Sequence, residues 1–197
     1  MNLHVFGATE KGELWHAIGK FQTSGSTGFQ WEPWGDVDRH GGAGHPGTGN
    51  VLESACAADV KGNLHVLVVT DDDGGQLWHT IRATPDAPPP FGGTWQPFGD
   101  VDQAAGLADV GASEKIVAVT AATTEMKLHV LATTKTAKLV HAIWIPATKG
   151  PTIWKKGTGG DPAKWEQKFK VVSVPANPHP EAGTPGQFKT IESTFSK

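Results

Sequence analysis

Three short phrases recur along the chain at intervals of roughly sixty residues, and a repeat of this kind constrains the fold more than any other feature of the sequence. Leu3-His4-Val5 returns as Leu64-His65-Val66 and Leu128-His129-Val130, at nearly equal steps. Leu14-Trp15-His16-Ala17-Ile18 returns as Leu77-Trp78-His79-Thr80-Ile81 and as Leu139-Val140-His141-Ala142-Ile143, where the Trp is lost. Trp31-Glu32-Pro33-Trp34-Gly35-Asp36-Val37 matches Trp95-Gln96-Pro97-Phe98-Gly99-Asp100-Val101 one repeat further on. In the third repeat the corresponding phrase is expected, in degenerate form, at residues 165–172. The longer approach at 146–164, with Trp154, then reads as a loop insertion.

A fourth apolar segment precedes the second and third Leu-His-Val phrases, at Val51–Ala57 and Ile116–Ala121. The first phrase has no such segment before it, but Phe188–Phe195 carries one at the other end of the chain. The sequence therefore reads as a circular permutation of three complete units: 188–197 with 1–50, then 51–112, then 113–187. Together they form a single domain over 1–197. Alternating short apolar segments bounded by Gly, Asp and Pro predict four short strands per unit, so the fold class is all-β. Four-stranded units repeated radially describe a β-propeller of three blades per chain, with the C-terminal strand completing the N-terminal blade. Three blades are too few to close a ring, so two copies are expected to form a six-bladed homodimer, each C-terminal strand serving the partner's first blade. A β-prism or β-trefoil would also use three similar units.

Composition narrows the function classes. Seventeen Lys and Arg against 20 Asp and Glu give a net charge of −3, which offers no basic field for nucleic acid. One Cys in 197 residues excludes an intramolecular disulfide framework and a Cys-based zinc site. The sequence has neither an apolar run long enough to span a bilayer nor a visible signal peptide. Phosphate-loop, dinucleotide and nucleophile-elbow patterns do not occur, so no cofactor is expected and no metal site is assigned.

The repeated residues admit two readings. Trp15, Trp78, Trp31 and Trp95 either wedge sheets together or face water and offer indole platforms to the C–H faces of a sugar. Six of the nine His fall at repeated positions, as the pairs His4/His16, His65/His79 and His129/His141. A hydrogen bond across the blade, sugar contact and metal ligation are all open to them. Asp36 and Asp100 close the Gly-Asp-Val phrase and suit turn chemistry. Identical copies argue against a catalytic carboxylate pair, which needs two different environments. Asp71-Asp72-Asp73 reads as a solvated hairpin tip, the Gly41–Gly49 segment as a flexible loop, and Cys56 as inert core.

Gly75-Gln76-Leu77-Trp78-His79-Thr80-Ile81-Arg82 and Gly93-Thr94-Trp95-Gln96-Pro97-Phe98-Gly99-Asp100-Val101 resemble the blade repeat of the Photorhabdus-type fucose-binding propeller lectins, whose rings have seven blades. The second unit matches well, the first is close, and the third departs from the pattern at Val140. The resemblance implies carbohydrate recognition between blades, with fucose or a related sugar as ligand. Carried over position by position, it implies Trp15, Trp78, Trp31 and Trp95 as stacking residues, with His16, His79, Asp36 and Asp100 as polar neighbours. The expectation is a multivalent lectin without catalysis, with individual sites of about −4 to −8 kcal/mol. The rivals are a propeller glycoside hydrolase or lyase and a protein-interaction scaffold.

Overall fold

The computed structural model describes residues 2–23, 28–37, 43–83, 95–105, 115–125, 127–136, 139–146, 153–156 and 188–196. The chain is mostly β, and its described residues form three antiparallel sheets. In the first, β1 (Asn2–Thr9) pairs with β2 (Leu14–Gln22), which carries β3 (Gly28–Trp31) and the two-residue β4 (Gly35–Asp36) along its far edge. The second sheet runs β5 (Val51–Ala58), β6 (Leu64–Thr70), β7 (Gln76–Arg82) and β8 (Gly99–Asp100), and ends in a single helical turn, α1 (Val101–Ala104). The third runs β9 (Ile116–Thr124), β10 (Lys127–Thr134), β11 (Leu139–Ile145) and β12 (Ile153–Lys156).

The first sheet is completed by the far end of the sequence. β13 (Phe188–Ser196) pairs antiparallel with β1, from Asn2↔Ser196 to Thr9↔Phe188. The permuted strand is thus supplied by the same chain, which corrects the expected exchange with a partner: this sheet needs no second copy to satisfy β1's backbone groups.

The third unit also differs from expectation. Its outer strand is β12, so the segment holding Trp154 is a strand and not part of a loop insertion. Register explains why. Gly19 pairs with Trp31, Arg82 with Trp95, and Trp144 with Trp154, all at the equivalent position of the repeat. Residues 165–172 lie outside the described residues.

Each sheet has two faces, fixed by the period of two. One carries the repeated histidines: His4, Phe6, Leu14, His16 and Ile18 in the first sheet, His65, Leu67, Leu77, His79 and Ile81 in the second. The opposite face carries Leu3, Val5 and Trp15, or Leu64, Val66 and Trp78. Core residues sort by this rule. Phe6, Ala8 and Leu14 from the first histidine face share a cluster with Leu64, Val66 and Val68 from the second sheet's tryptophan face. Leu67, Leu77 and Ile81 from the second histidine face share another with Leu128, Val130 and Trp144 of the third sheet. Cys56 is buried in β5 and belongs to the first cluster. Sheet therefore follows sheet in one direction, histidine face onto tryptophan face. β13 and β1 pack on β5, and β5 and β6 on β9, whereas the first and third sheets share no such interface among the described residues. No helix among them is long and apolar enough to cross a membrane.

Candidate functional site

The repeat places one Trp and one Asp directly opposite each other in two sheets. Trp15 on β2 faces Asp36 on β4, and Trp78 on β7 faces Asp100 on β8. Opposed residues of an antiparallel pair share a face, so each indole lies beside a carboxylate. This geometry underlies the nearly identical spacing from Trp to Asp in the first two units. Asp36 is buried. Asp100 accepts the Gln76 amide at 2.7 Å and the Gln103 backbone N–H at 2.9 Å, the latter capping α1. The turn role expected of these carboxylates is met at Asp100.

The two indoles differ in setting. Trp15 is half-buried and donates its Nε1–H to Glu13 at 3.2 Å. Trp78 donates to Thr70 Oγ1 at 3.1 Å, and the connection from the first sheet runs across its ring. At Gly47, with φ +66°, a Cβ would collide with the Asp72 carboxylate and come within 2.8 Å of the Trp78 ring, so only glycine fits. Asp72 accepts the Thr48 N–H at 3.0 Å and its hydroxyl at 2.7 Å; Asp71 accepts the Asn50 N–H at 2.6 Å and its side-chain amide at 2.9 Å. Burial works against the Asp72 charge, but hydrogen bonds from Thr48, Gly49 and Thr70 outweigh it and hold the carboxyl below its usual range. Asp71 and Asp73 are exposed, as expected of a hairpin tip, and Asp71 and Asp72 in addition clamp the segment from Gly47 to Asn50. His45 in the same connection is exposed, whereas His40 and His179 lie outside the described residues.

Trp31 and Trp95 also part company. Trp95 packs edge-on against Phe6 and His16, with ring centroids at 6.1 and 5.7 Å and planes at 88°, and so ties the second sheet to the first. Trp31 is 51% exposed and stands beside Phe29 over Gly19.

His16 and His79 face away from Trp15 and Trp78 within their own sheets and are buried. Each completes a pair: His4 Nδ1 to His16 Nε2 at 2.9 Å, His65 Nδ1 to His79 Nε2 at 3.1 Å, and His129 Nδ1 to His141 Nε2 at 3.2 Å. Interplanar angles are 2°, 6° and 17°, with centroids 5.2, 5.3 and 5.4 Å apart. Such separations equal the N···N distance plus two ring radii. The imidazoles are therefore nearly coplanar and edge to edge, hydrogen-bonded and not stacked face on face.

Such a bond needs one donor and one acceptor nitrogen, which two neutral rings supply. Burial, then the positive charge of Arg82, pushes His4 down to about 4. Burial, then His4 and Arg82, holds His16 well below the usual histidine range. Burial takes His65 down to about 4 even though the Asp59 carboxylate pulls the other way, and burial with the neighbouring His65 keeps His79 neutral. Asp59 Oδ2 lies 3.8 Å from His65 Nε2, too far for a hydrogen bond, and acts by its charge. That charge favours the tautomer with the proton on His65 Nε2, which makes Nδ1 the acceptor and His79 the donor. In the third sheet Thr124 Oγ1 takes the equivalent place, 2.9 Å from His129 Nε2. Among the described residues no group of three or more His, Cys, Asp or Glu could hold a metal ion.

The structure thus brings Trp15 to Asp36 and Trp78 to Asp100, assigns His16 and His79 to the packing between sheets, and separates an exposed Trp31 from a packed Trp95. The clamp of Asp71 and Asp72 across the sheet junction had no signal in the sequence, because its partners lie far off along the chain. No protein-family model matches the chain, and no curated protein matches it.

Proposed function

We propose that the three sheets are blades of a β-propeller and that the protein is a lectin, binding monosaccharide termini, fucose-like or related, without catalysis. The observation that carries the reading is the repeated cross-strand pair of indole and carboxylate, Trp15 with Asp36 and Trp78 with Asp100. At Trp15 an indole edge anchored by its own N–H leaves the ring face for the polarised C–H groups of a pyranose, and polar groups beside it bond the hydroxyls, whereas the Trp78 ring is partly covered by the segment at Gly47. Copies of a shallow site around a ring give avidity that no single site has.

The hydrolase reading has one observation in its favour: Asp102, pushed up to about 6 mainly by burial, lies near Asp100. Its carboxylate, however, accepts the Leu77 backbone N–H at 3.1 Å and joins α1 to β7, a structural task. Binding to a glycan array, competed by free fucose and by other monosaccharides, tests the lectin reading. The expected result is competable binding that weakens at least tenfold in Trp15→Ala with the fold retained. Glycan turnover, or an absence of competable binding, overturns it.

A further inference from the structure

Among the described residues the same junction is built twice, and each end of the array presents one unmatched half of it. We infer that a second copy of this chain supplies the missing half, the histidine face of the third sheet docking on the tryptophan face of the first sheet of its partner. The inference rests on reading the sheets as blades, and it does not depend on sugar binding.

Equivalent positions differ in burial from sheet to sheet. Phe6 and Leu67 are 0% exposed, because the next sheet covers them; their counterpart Leu131 is half-exposed, as are His129, His141, Leu139 and Ile143 around it. On the opposite face Leu64 and Leu128, Val66 and Val130 are at most 1% exposed, whereas Leu3 and Val5 at the same positions of the first sheet are half-exposed. These half-covered apolar positions are the ones that meet inside the chain: Phe6 shares a cluster with Leu64 and Val66, and Leu67 with Leu128 and Val130. A second copy would set Leu131 against Leu3 and Val5.

The aromatic residues make the same case. Trp95 packs edge-on against His16, and Trp144 against His65 at 4.7 Å, so each histidine pair covered by a following sheet carries an indole from it. The third pair, His129 and His141, carries none among the described residues. Trp31, the counterpart of Trp95, is 51% exposed on the face that would cover that pair. The first sheet also has Gly19 where the others have Arg82 and Trp144, which leaves room for the fold-back of Trp31 and Phe29. A twofold axis makes both junctions between copies identical and closes six blades, each Trp15–Asp36 pair lying at a junction shared by two copies.

Light scattering coupled to size exclusion on the full chain should give twice 20.8 kDa. Leu131→Glu and Val5→Arg, separately, should each give 20.8 kDa with an unchanged far-ultraviolet circular dichroism spectrum. Mixing the two variants should restore the doubled mass, because one junction then sets Glu against Arg and the other is wild type. Trp31→Ala, at an exposed position, should weaken self-association at least tenfold and keeps the test valid if a charged variant fails to fold. A wild-type chain that keeps the single-chain mass even in concentrated solution, or a dimer indifferent to all three changes, overturns the inference. Competable glycan binding by a monomer would leave the lectin reading standing, and a dimer that binds no glycan would leave the assembly standing.

Discussion

The histidine faces of the second and third sheets have nearly the same sequence and opposite surroundings. Leu67, His79 and Ile81 lie beneath the third sheet, whereas Leu131, His141 and Ile143 lie half in water. Both faces form the same imidazole pair, at 3.1 and 3.2 Å. The pair is therefore a property of its own sheet, set by register, and not a product of packing between sheets. Packing decides instead how deeply the pair is buried and hence how strongly its charge is suppressed.

The largest expected contrast comes from truncating the apolar residue between the two histidine rows. Leu67→Ala opens a cavity in a sealed cluster and should lower unfolding stability by about 3 kcal/mol, whereas Leu131→Ala removes a side chain already touching water and should lower it by about 1 kcal/mol. Urea denaturation in a Val5→Arg background, which keeps copies apart, isolates the effect from association. Equal losses would mean that the third face is as covered as the second and would dissolve the comparison.

Much of the fold was legible in the sequence, the contrast in burial was not, and the reasons are physical. The Leu-His-Val and Leu-Trp-His phrases carry the period of two, so they specify strands and faces without reference to neighbours. The permuted strand was visible in the gap before Leu3 and the apolar segment at Phe188–Phe195. Whether that strand pairs in its own chain or in a partner depends on the path of the connection, which no local pattern encodes. The strand at Trp154 reads as loop in the sequence because Trp165-Glu166 imitates Trp31-Glu32. Spacing was the better guide: Trp31 and Trp95 follow Leu14 and Leu77 at nearly the same interval, Trp154 follows Leu139 slightly sooner, and Trp165 follows it far later. For the candidate site, the pairing of Trp with Asp follows from repeat spacing, but the opposite orientation of His16 and His79 follows from strand parity and was open to being read off too. The different burial of Trp31 and Trp95 depends on which sheet comes next, and a single repeat cannot carry that information.

Acid should sharpen the contrast next. His4 and His65 are held down to about 4 in the folded chain against 6.5 for the free side chain, so the unfolded chain takes up protons first. Stability is fully present above about pH 6.5 and falls as pH drops toward 4, by roughly 3 kcal/mol for each such imidazole at the limit. Asp102 works in the opposite sense. Its folded value is raised to about 6 against 3.8, so its protonation returns part of that loss below pH 6. The midpoint of urea unfolding, followed from neutral pH into mild acid, reads the sum. Replacing the buried pair together, His65→Phe with His79→Leu, should flatten the profile markedly. His141→Gln should change it little, since His141 is lowered by partial burial and by His129 but sits half in solvent. A profile flattened equally by both would place the third pair in an interior as dry as the second.

The smallest expected effect separates the two tryptophan faces. Trp78 is covered by the connection that Asp71 and Asp72 clamp, and Trp15 is anchored only to its own strand neighbour Glu13 among the contacts described. Asp72→Ala removes acceptors for the Thr48 amide and hydroxyl and for Thr70, so it should lower stability by about 1–2 kcal/mol. Because Gly47 rests on the indole, loosening the clamp should admit water to Trp78 and shift its fluorescence to the red, a change absent when the same substitution is made in a Trp78→Phe background. Glu13→Ala, which frees the Trp15 indole N–H in an already wetter place, should cost less than about 1 kcal/mol. If Asp72→Ala left the emission of Trp78 unmoved, the covering segment would be held by its own turns, and the half-burial of Trp78 would reflect its packing against the apolar cluster between sheets instead of the clamp.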